Sequence, residues 1–389
     1  MRNKVLFSAS LFHFINDASS VAIPMLFPLL YSKGFIITNY SQIGILSYLG
    51  LFVTFLFQIL IVNYSTNLSY KAMLAISICG ISLFIFLLTF SQSFLLLLVF
   101  YVSMRVFLSF YHPLGVAAIS RSRPESALDS AMGIQSGSGN FGVFVAFISV
   151  GYLAQTWNWR FPLYIWAGAV FLLGMVSFLS VRKISALKAT YRKPDLSLWL
   201  KSLTSMKKYV LGIFFGGGCW TVTVYYAPSL LHHKFHIPLA KTGISMALWI
   251  SFGTLMPYIF GILSRKLGRG RLCFICMAGT TLFSFILWIS PVQEMALLSL
   301  LFSGSFLFLI FPALQSFTGL SANHHDQDIV FSLYANIQML GGALISLISG
   351  FLSDLFGINA PFLLIALMGV VVLVYYLKHP LVLESSDRN

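Results

Sequence analysis

Residues 182–208 read RKISALKATYRKPDLSLWLKSLTSMKK, the longest polar stretch of the chain, with eight basic residues and one acid. On either side, residues 1–181 and 209–389 consist of apolar runs broken by short loops. The stretch is a seam, and its two sides match. At an offset of 199 residues, Gly44 falls on Gly243, Gly80 on Gly279, Pro113 on Pro312, Gly142 on Gly341, Gly151 on Gly350 and Pro162 on Pro361. Glycine and proline mark helix contacts and kinks, so these coincidences in order predict two copies of one helical unit.

Composition says where such a unit lives. Hydrophobic residues make up 58% of the 389 and charged residues 9%, against about 25% charged in soluble domains. A membrane span takes about 20 apolar residues at 1.5 Å rise each. Twelve fit, at roughly 5–31, 41–62, 71–90, 93–117, 128–153, 160–181, 209–231, 242–264, 271–290, 294–319, 328–352 and 359–378. The expected fold is an all-α membrane protein of twelve transmembrane helices in two parallel-repeat bundles of six. The first bundle is 1–181, the basic linker 182–208 and the second bundle 209–389.

The net charge of +14 raises the question of a nucleic-acid partner, and the placement of the Lys and Arg residues excludes one. Nineteen fall in segments that share one side of the membrane, four (Lys33, Arg160, Lys234 and Lys241) on the other, and Arg105 within a span. The positive-inside rule then puts both termini in the cytoplasm. The basic surplus reports contact with anionic membrane lipid. The expected location is the cell inner membrane, multi-pass, with the first helix a retained anchor, since no small-residue cleavage pattern follows it. Within the linker, Leu196, Trp199, Leu200 and Leu203 recur at helical spacing, which suits a short helix on the inner leaflet; a plain solvated linker is the alternative. Cys79, Cys219, Cys273 and Cys276 lie in spans and read as small apolar packing residues. No cofactor and no metal is expected.

Two glycine-rich patches, Gly133 to Gly142 in the fifth span and Gly216 to Gly218 in the seventh, admit two readings: close helix packing, or local unwinding beside a cavity. Ionisable groups are more telling. A charge at mid-membrane costs at least about 2.5 kcal/mol, and only Asp17 and Arg105 lie near the centre of a span. His13, Asn16, Asp17 and Ser20 share one helix face, and Arg105, Ser109 and His112 line up in the fourth span. An ion pair between Asp17 and Arg105 would let each offset the other's desolvation. A proton switch or anion site is one reading of the pair, a fixed brace the other. His13 and His112 titrate nearer neutral pH and offer alternative proton carriers.

The repeat sharpens this asymmetry, because His13, Asp17, Arg105 and His112 become Gly212, Gly216, Gly304 and Phe311 in the second half. That half offers Trp220, Thr221, Thr223, Tyr225 and Tyr226, with Trp249, Asn336 and Gln338 beyond them, groups suited to neutral or amphipathic solutes. The clusters His232, His233, His236 and His324, His325, Asp326, Asp328 read as solvated loops. No Walker loop, dinucleotide-binding glycine pattern or G-x-S-x-G is present, and no enzyme is expected.

On these residues the chain resembles the major facilitator superfamily. Gly261 to Arg271, GILSRKLGRGR, is similar to its G-x-x-x-D-R-x-G-R-R loop, with Arg265 at the acid's place; in the first half, Thr66 stands there. H-x-x-N-D (His13, Asn16, Asp17), Y-H-P (Tyr111, His112, Pro113) and G-N-F-G (Gly139 to Gly142, with Asn140) resemble the fosmidomycin-resistance group of efflux proteins. Leu114 replaces that group's glutamate, and Ala146 and Phe147 its Gly-Pro. The resemblance implies proton-driven export of a small drug or metabolite by alternating access, as a monomer. Asp17, His13 and His112 are then the proton-coupling residues, and Asn16, Arg105, Asn140, Trp220, Tyr225, Asn336 and Gln338 face the substrate. Uptake of a small organic anion or nutrient is the alternative, and a sensor that has lost transport a third.

Overall fold

A computed structural model describes residues 2–31, 35–64, 69–122, 125–181, 196–320 and 327–381. Among the described residues, twelve helices are long and apolar enough to cross a membrane. Spans 1 to 6 are Asn3–Tyr31, Tyr40–Ile61, Tyr70–Leu88, Phe94–Val116, Ser130–Thr156 and Phe161–Val181. Spans 7 to 12 are Lys207–Lys234, Leu239–Leu267, Arg269–Ile289, Gln293–Leu320, Ile329–Phe356 and Ala360–Lys378. Each agrees with the sequence reading to within a few residues, because runs of this hydropathy leave little choice of state. In the linker, 182–195 lies outside the described residues; Leu196–Ser205 is a helix, with Leu200 and Leu203 exposed.

The repeat is a repeat of contacts. Span 1 packs on spans 5 and 6 as span 7 packs on 11 and 12; span 3 packs on 4 and 6 as span 9 packs on 10 and 12; span 2 packs on 4 as span 8 packs on 10. The matched glycines sit where these helices touch. A Cβ at Gly142 would lie 2.3 Å from the carbonyl oxygen of Phe14, and one at Gly341 2.3 Å from that of Phe214. At Gly80 it would meet the Phe107 ring, and at Gly279 the ring of Phe306, 199 positions on. Lipid supplies no hydrophobic drive between helices, so close backbone approach at small residues does that work.

The halves join through span 2 on span 11 and span 5 on span 8. The joint is reciprocal. Gly151 faces the Leu239 carbonyl across one seam, and Gly350 faces the Tyr40 carbonyl across the other. Beside them, the Asp354 carboxylate accepts the backbone N–H groups of Tyr40 and Ser41 at 2.6 and 3.0 Å. The matching Gln155 side chain accepts the N–H of Ala240 at 2.8 Å. Each half thus caps the first turn of a helix in the other, satisfying donors that a helix start leaves open. Tyr225 adds a third tie, its hydroxyl bonded to that of Tyr101 and its ring 5.8 Å from that of Phe27. These contacts lie at or toward the end of the bundle away from the basic loops.

Candidate functional site

Spans 1 and 7 are the most enclosed, with 72% and 78% of their apolar windows buried. A polar side chain on them faces protein or internal water, not lipid. On span 1 the i to i+4 spacing of His13 and Asp17 puts them one turn apart, and the imidazole Nε2 stands 2.9 Å from the carboxylate Oδ2. Asn16 donates its amide N–H to the other oxygen, Oδ1, at 3.1 Å. The His13 Nδ1 lies 2.7 Å from the backbone carbonyl of Gln135 on the helix of span 5. A carbonyl only accepts, so Nδ1 carries a hydrogen. Nε2 and Oδ2 can then approach as they do only with a proton held between them.

Span 4 supplies the third member. The helix Phe94–Leu108 ends in a turn at Ser109 and Phe110 and restarts as Tyr111–Ser122. Pro113 explains the break, since it lacks an N–H and its ring opposes the carbonyl four residues earlier, that of Ser109. The restart aims Tyr111 and His112 at span 1. The Tyr111 ring stacks on His13 with centroids 4.3 Å apart, its hydroxyl donates to the Gln135 side chain, and the His112 ring lies 5.5 Å from that of His13. The donor atoms of His13, Asp17 and His112 all fall within 4.8 Å of one another. Span 5 leaves room above them, for a Cβ at Gly139 would come within 2.6 Å of Asp17 Oδ2. The Asp17 side chain keeps 23% of its surface open, and His112 is exposed. The cluster is therefore partly open, at Asp17 and at the His112 ring.

Arg105 goes elsewhere. Its Nε donates to Thr54 Oγ1 at 3.1 Å and to the Gly50 carbonyl at 3.3 Å, both on span 2. The ion pair expected between Asp17 and Arg105 is replaced by the pair with His13. The reason is local: a partner one turn away on the same helix needs no alignment of separate helices.

Of the other expected residues, Asn140 is half-buried beside Gly139. Trp220 lies tilted against Trp249 at 5.1 Å and meets Phe308 edge-on at 5.5 Å, an aromatic group shared by spans 7, 8 and 10. Tyr225 is buried at the joint between the halves. Asn336 is buried on span 11, and the Gln338 carbonyl presses against Gly217; the structure does not bring either to the His–Asp cluster. Sequence reasoning missed Gln135 and Gly139 as members of the cluster, and Tyr111 appeared only inside a motif.

The glycine patches divide. Both helices run unbroken, so unwinding is not seen. Gly142, Gly217 and Gly218 are packing positions, whereas Gly133 and Gly137 face open space. Cys273 and Cys276 are buried, as expected of packing residues, while Cys79 is exposed. His232 and His233, read as solvated, are half-buried, with His232 bonded to the Ile237 carbonyl. His324, His325 and Asp326 lie outside the described residues, as does the Asp328 side chain.

Paired six-helix units with a polar cluster between spans 1, 4 and 5 are the architecture of a membrane transporter. The sequence matches the family model described as Major Facilitator Superfamily over residues 6–346. The chain belongs to that superfamily. Among solved structures, a bacterial homolog of the human lysosomal transporter Spinster, inward-facing and occupied, matches with a TM-score of 0.82 at 15% identity over 97% of this chain and 96% of that one. Its inward-facing, unoccupied form gives 0.77 at 15% identity over 97% and 95%. The nucleoside transporter NupG gives 0.76 at 13% identity over 96% and 98%. Identities this low speak for fold alone. No curated protein matches the chain.

Proposed function

We propose that the chain is a proton-coupled transporter that exports a small drug or metabolite across the cell inner membrane by alternating access. Asp17, His13 and His112 carry the proton, and Asn16, Arg105, Asn140, Trp220, Tyr225, Asn336 and Gln338 face the substrate path. The single observation that supports this reading most is the convergence of His13, Asp17 and His112 in one partly open cluster. It joins the three motifs that resemble the fosmidomycin-resistance group, one each from spans 1, 4 and 5. The bundles 1–181 and 209–389, bridged by 182–208, rock against each other around it, and the chain works as a monomer.

The chemistry follows from the shared proton. While it is held, His13 and Asp17 attract; once it leaves, two acceptors face each other at 2.9 Å and must part or admit water. Proton binding therefore favours a tight span 1 against Gly139, and proton loss a loosened one, which gives the two bundle arrangements different proton affinities. The excess of basic residues places both termini in the cytoplasm. The halves meet at the opposite end, which supports reading this conformation as inward-open.

Uptake of a small organic anion is a second reading, supported by Arg105, which among the described residues has no carboxylate within ion-pair distance. Reconstituted proteoliposomes separate these readings. Export predicts solute movement against an imposed proton gradient and counterflow of amphipathic solutes, both lost in Asp17→Asn with insertion intact. Uptake predicts a preference for carboxylate or phosphate solutes, lost in Arg105→Ala. Absence of counterflow for every candidate solute would point to a sensor.

A further inference from the structure

We infer that the His13, Asp17 and His112 cluster is also a binding site for a divalent first-row transition-metal ion of the zinc type, which takes the place of the shared proton. The inference rests on the reading of the cluster as a partly open cation-handling site, and goes beyond it in the chemical class of the cation.

Three features of the geometry carry it. The donor atoms converge, with Nε2 of His13 and Oδ2 of Asp17 at 2.9 Å and a His112 nitrogen within 4.8 Å of both. Zinc bonded to nitrogen and oxygen at about 2.0–2.2 Å sets its ligands roughly 3.3 Å apart in a tetrahedron. Two donors lie a few tenths of an ångström inside that spacing, and the third belongs to an exposed ring at the start of a restarted helix, already against the His13 ring. Second, the supports match those of metal-bound imidazoles. The His13 Nδ1–H is fixed by the Gln135 carbonyl at 2.7 Å, which directs the Nε2 lone pair at the site. The Asn16 amide occupies Asp17 Oδ1 and leaves Oδ2 for the ion. Such outer partners hold ligands in orientation. Third, the wall is cut back where an ion and its water would sit: any side chain at Gly139 would intrude on both Asp17 and His13, at 2.6 and 2.7 Å.

Two imidazoles and one carboxylate select the ion. Magnesium and calcium favour all-oxygen sets, whereas imidazole suits zinc, cobalt, nickel and copper. With three protein ligands, at least one coordination position stays open to water or to an anionic group of a solute. The exchange balances simply. The metal bonds to Nε2 and Oδ2, the N–H bond between them breaks, and one proton passes to solvent.

The test is equilibrium binding of cobalt(II), a spectroscopic stand-in for zinc, to the purified full chain in detergent. The background variant carries His→Gln at His232, His233, His236, His324, His325 and His379, so that histidines outside the cluster contribute nothing. We expect one cobalt per chain with visible ligand-field absorption, displaced by zinc and untouched by millimolar magnesium. His13→Gln, Asp17→Asn and His112→Gln should each weaken binding at least tenfold, Asp17→Glu should retain part of it, and Gly139→Ala should weaken it with every ligand still present. Circular dichroism melting identifies any variant that fails to fold, and His112→Gln, at an exposed position, is the variant least exposed to that failure. No cobalt signal in the background chain, or binding indifferent to His112→Gln, overturns the inference. Because binding needs no transport, a chain that binds no metal yet moves protons sinks this inference alone. One that binds metal without proton-driven transport sinks the proposed function alone.

Discussion

Spans 1 to 6 and spans 7 to 12 share a scaffold and differ in what they hold. The close helix contacts recur: Gly142 on the Phe14 carbonyl against Gly341 on that of Phe214, one residue beyond the 199 offset, and Gly80 on the Phe107 ring against Gly279 on the Phe306 ring. The contents are exchanged. In the first half, Arg105 on span 4 lies over Gly50 on span 2; in the second, the matched pair is Gly304 on span 10 under Trp249 on span 8. Large and small have traded helices. Likewise the Asp17 and His112 positions become Gly216 and Phe311, and the Phe311 ring would lie 3.1 Å from a Cβ at Gly216. The lesson is that helix approach distances constrain both halves, while the side chains filling the space are free provided the volume is kept. One half became ionic, the other aromatic.

The largest effect that would break this division of labour is on transport. Asp17→Asn should lower proton-driven transport at least a hundredfold, about 2.7 kcal/mol, while Gly216→Asp on the Asp17→Asn chain should restore nothing. Flux in proteoliposomes under an imposed pH step decides it. Recovery by the second substitution would mean that the halves are interchangeable and that the asymmetry carries no function.

Next come the shared contacts. Gly142→Leu and Gly341→Leu each force a side chain onto a carbonyl oxygen 2.3 Å from the Cβ position, and overpacking costs about 1–3 kcal/mol. Thermal unfolding in detergent should drop by similar amounts in the two variants. A loss confined to one of them would show that the repeat is a repeat of sequence marks and not of mechanics.

Much of this was legible before any coordinates. Hydropathy located the spans because long apolar runs permit only helices in lipid, and the 199-residue offset foretold a repeated unit, in which Gly80 and Gly279 hold matched places. The faces of single helices were legible too: His13, Asn16 and Asp17 were grouped correctly. What sequence could not supply was which helix each face meets. Arg105 was therefore matched to the other charge in the membrane, although the i to i+4 spacing of His13 and Asp17 already offered a nearer partner. The break in span 4 was signalled by Pro113, but Pro312, its match, lies inside an unbroken helix, Gln293–Leu320. A proline alone does not decide. Gln155 and Asp354 passed unnoticed because residues at span ends read as loop, and their role depends on the partner half.

A smaller effect is expected at the central tie between the halves. Tyr101→Phe removes the hydrogen bond to the Tyr225 hydroxyl while keeping both rings. A hydrogen bond of this kind contributes about 0.5–1.5 kcal/mol, so the population closed at this end should fall roughly two- to tenfold, read by spin-label distances across spans 2 and 11. Tyr225→Phe should do the same, and the double variant should add nothing to either alone, since one bond is lost in all three.

The smallest effect tests the one place where the two joints differ chemically. Asp354 caps Tyr40 and Ser41 with a carboxylate, and Gln155 caps Ala240 with a neutral amide. Negative charge at a helix start is favoured by the helix dipole by about 0.3–1 kcal/mol at exposed sites. Asp354→Asn should therefore loosen the joint of spans 2 and 11 by about two- to fivefold in closed population, and Gln155→Glu should tighten that of spans 5 and 8 by a similar factor. The same labels, one pair on each joint, measure both. Raising salt should shrink the effect of each substitution, because a charge that acts on a dipole is screened while an amide's hydrogen bond is not. If Asp354→Asn leaves the joint unchanged at low salt, the carboxylate acts only as a pair of acceptors, and the two caps are chemically equivalent after all.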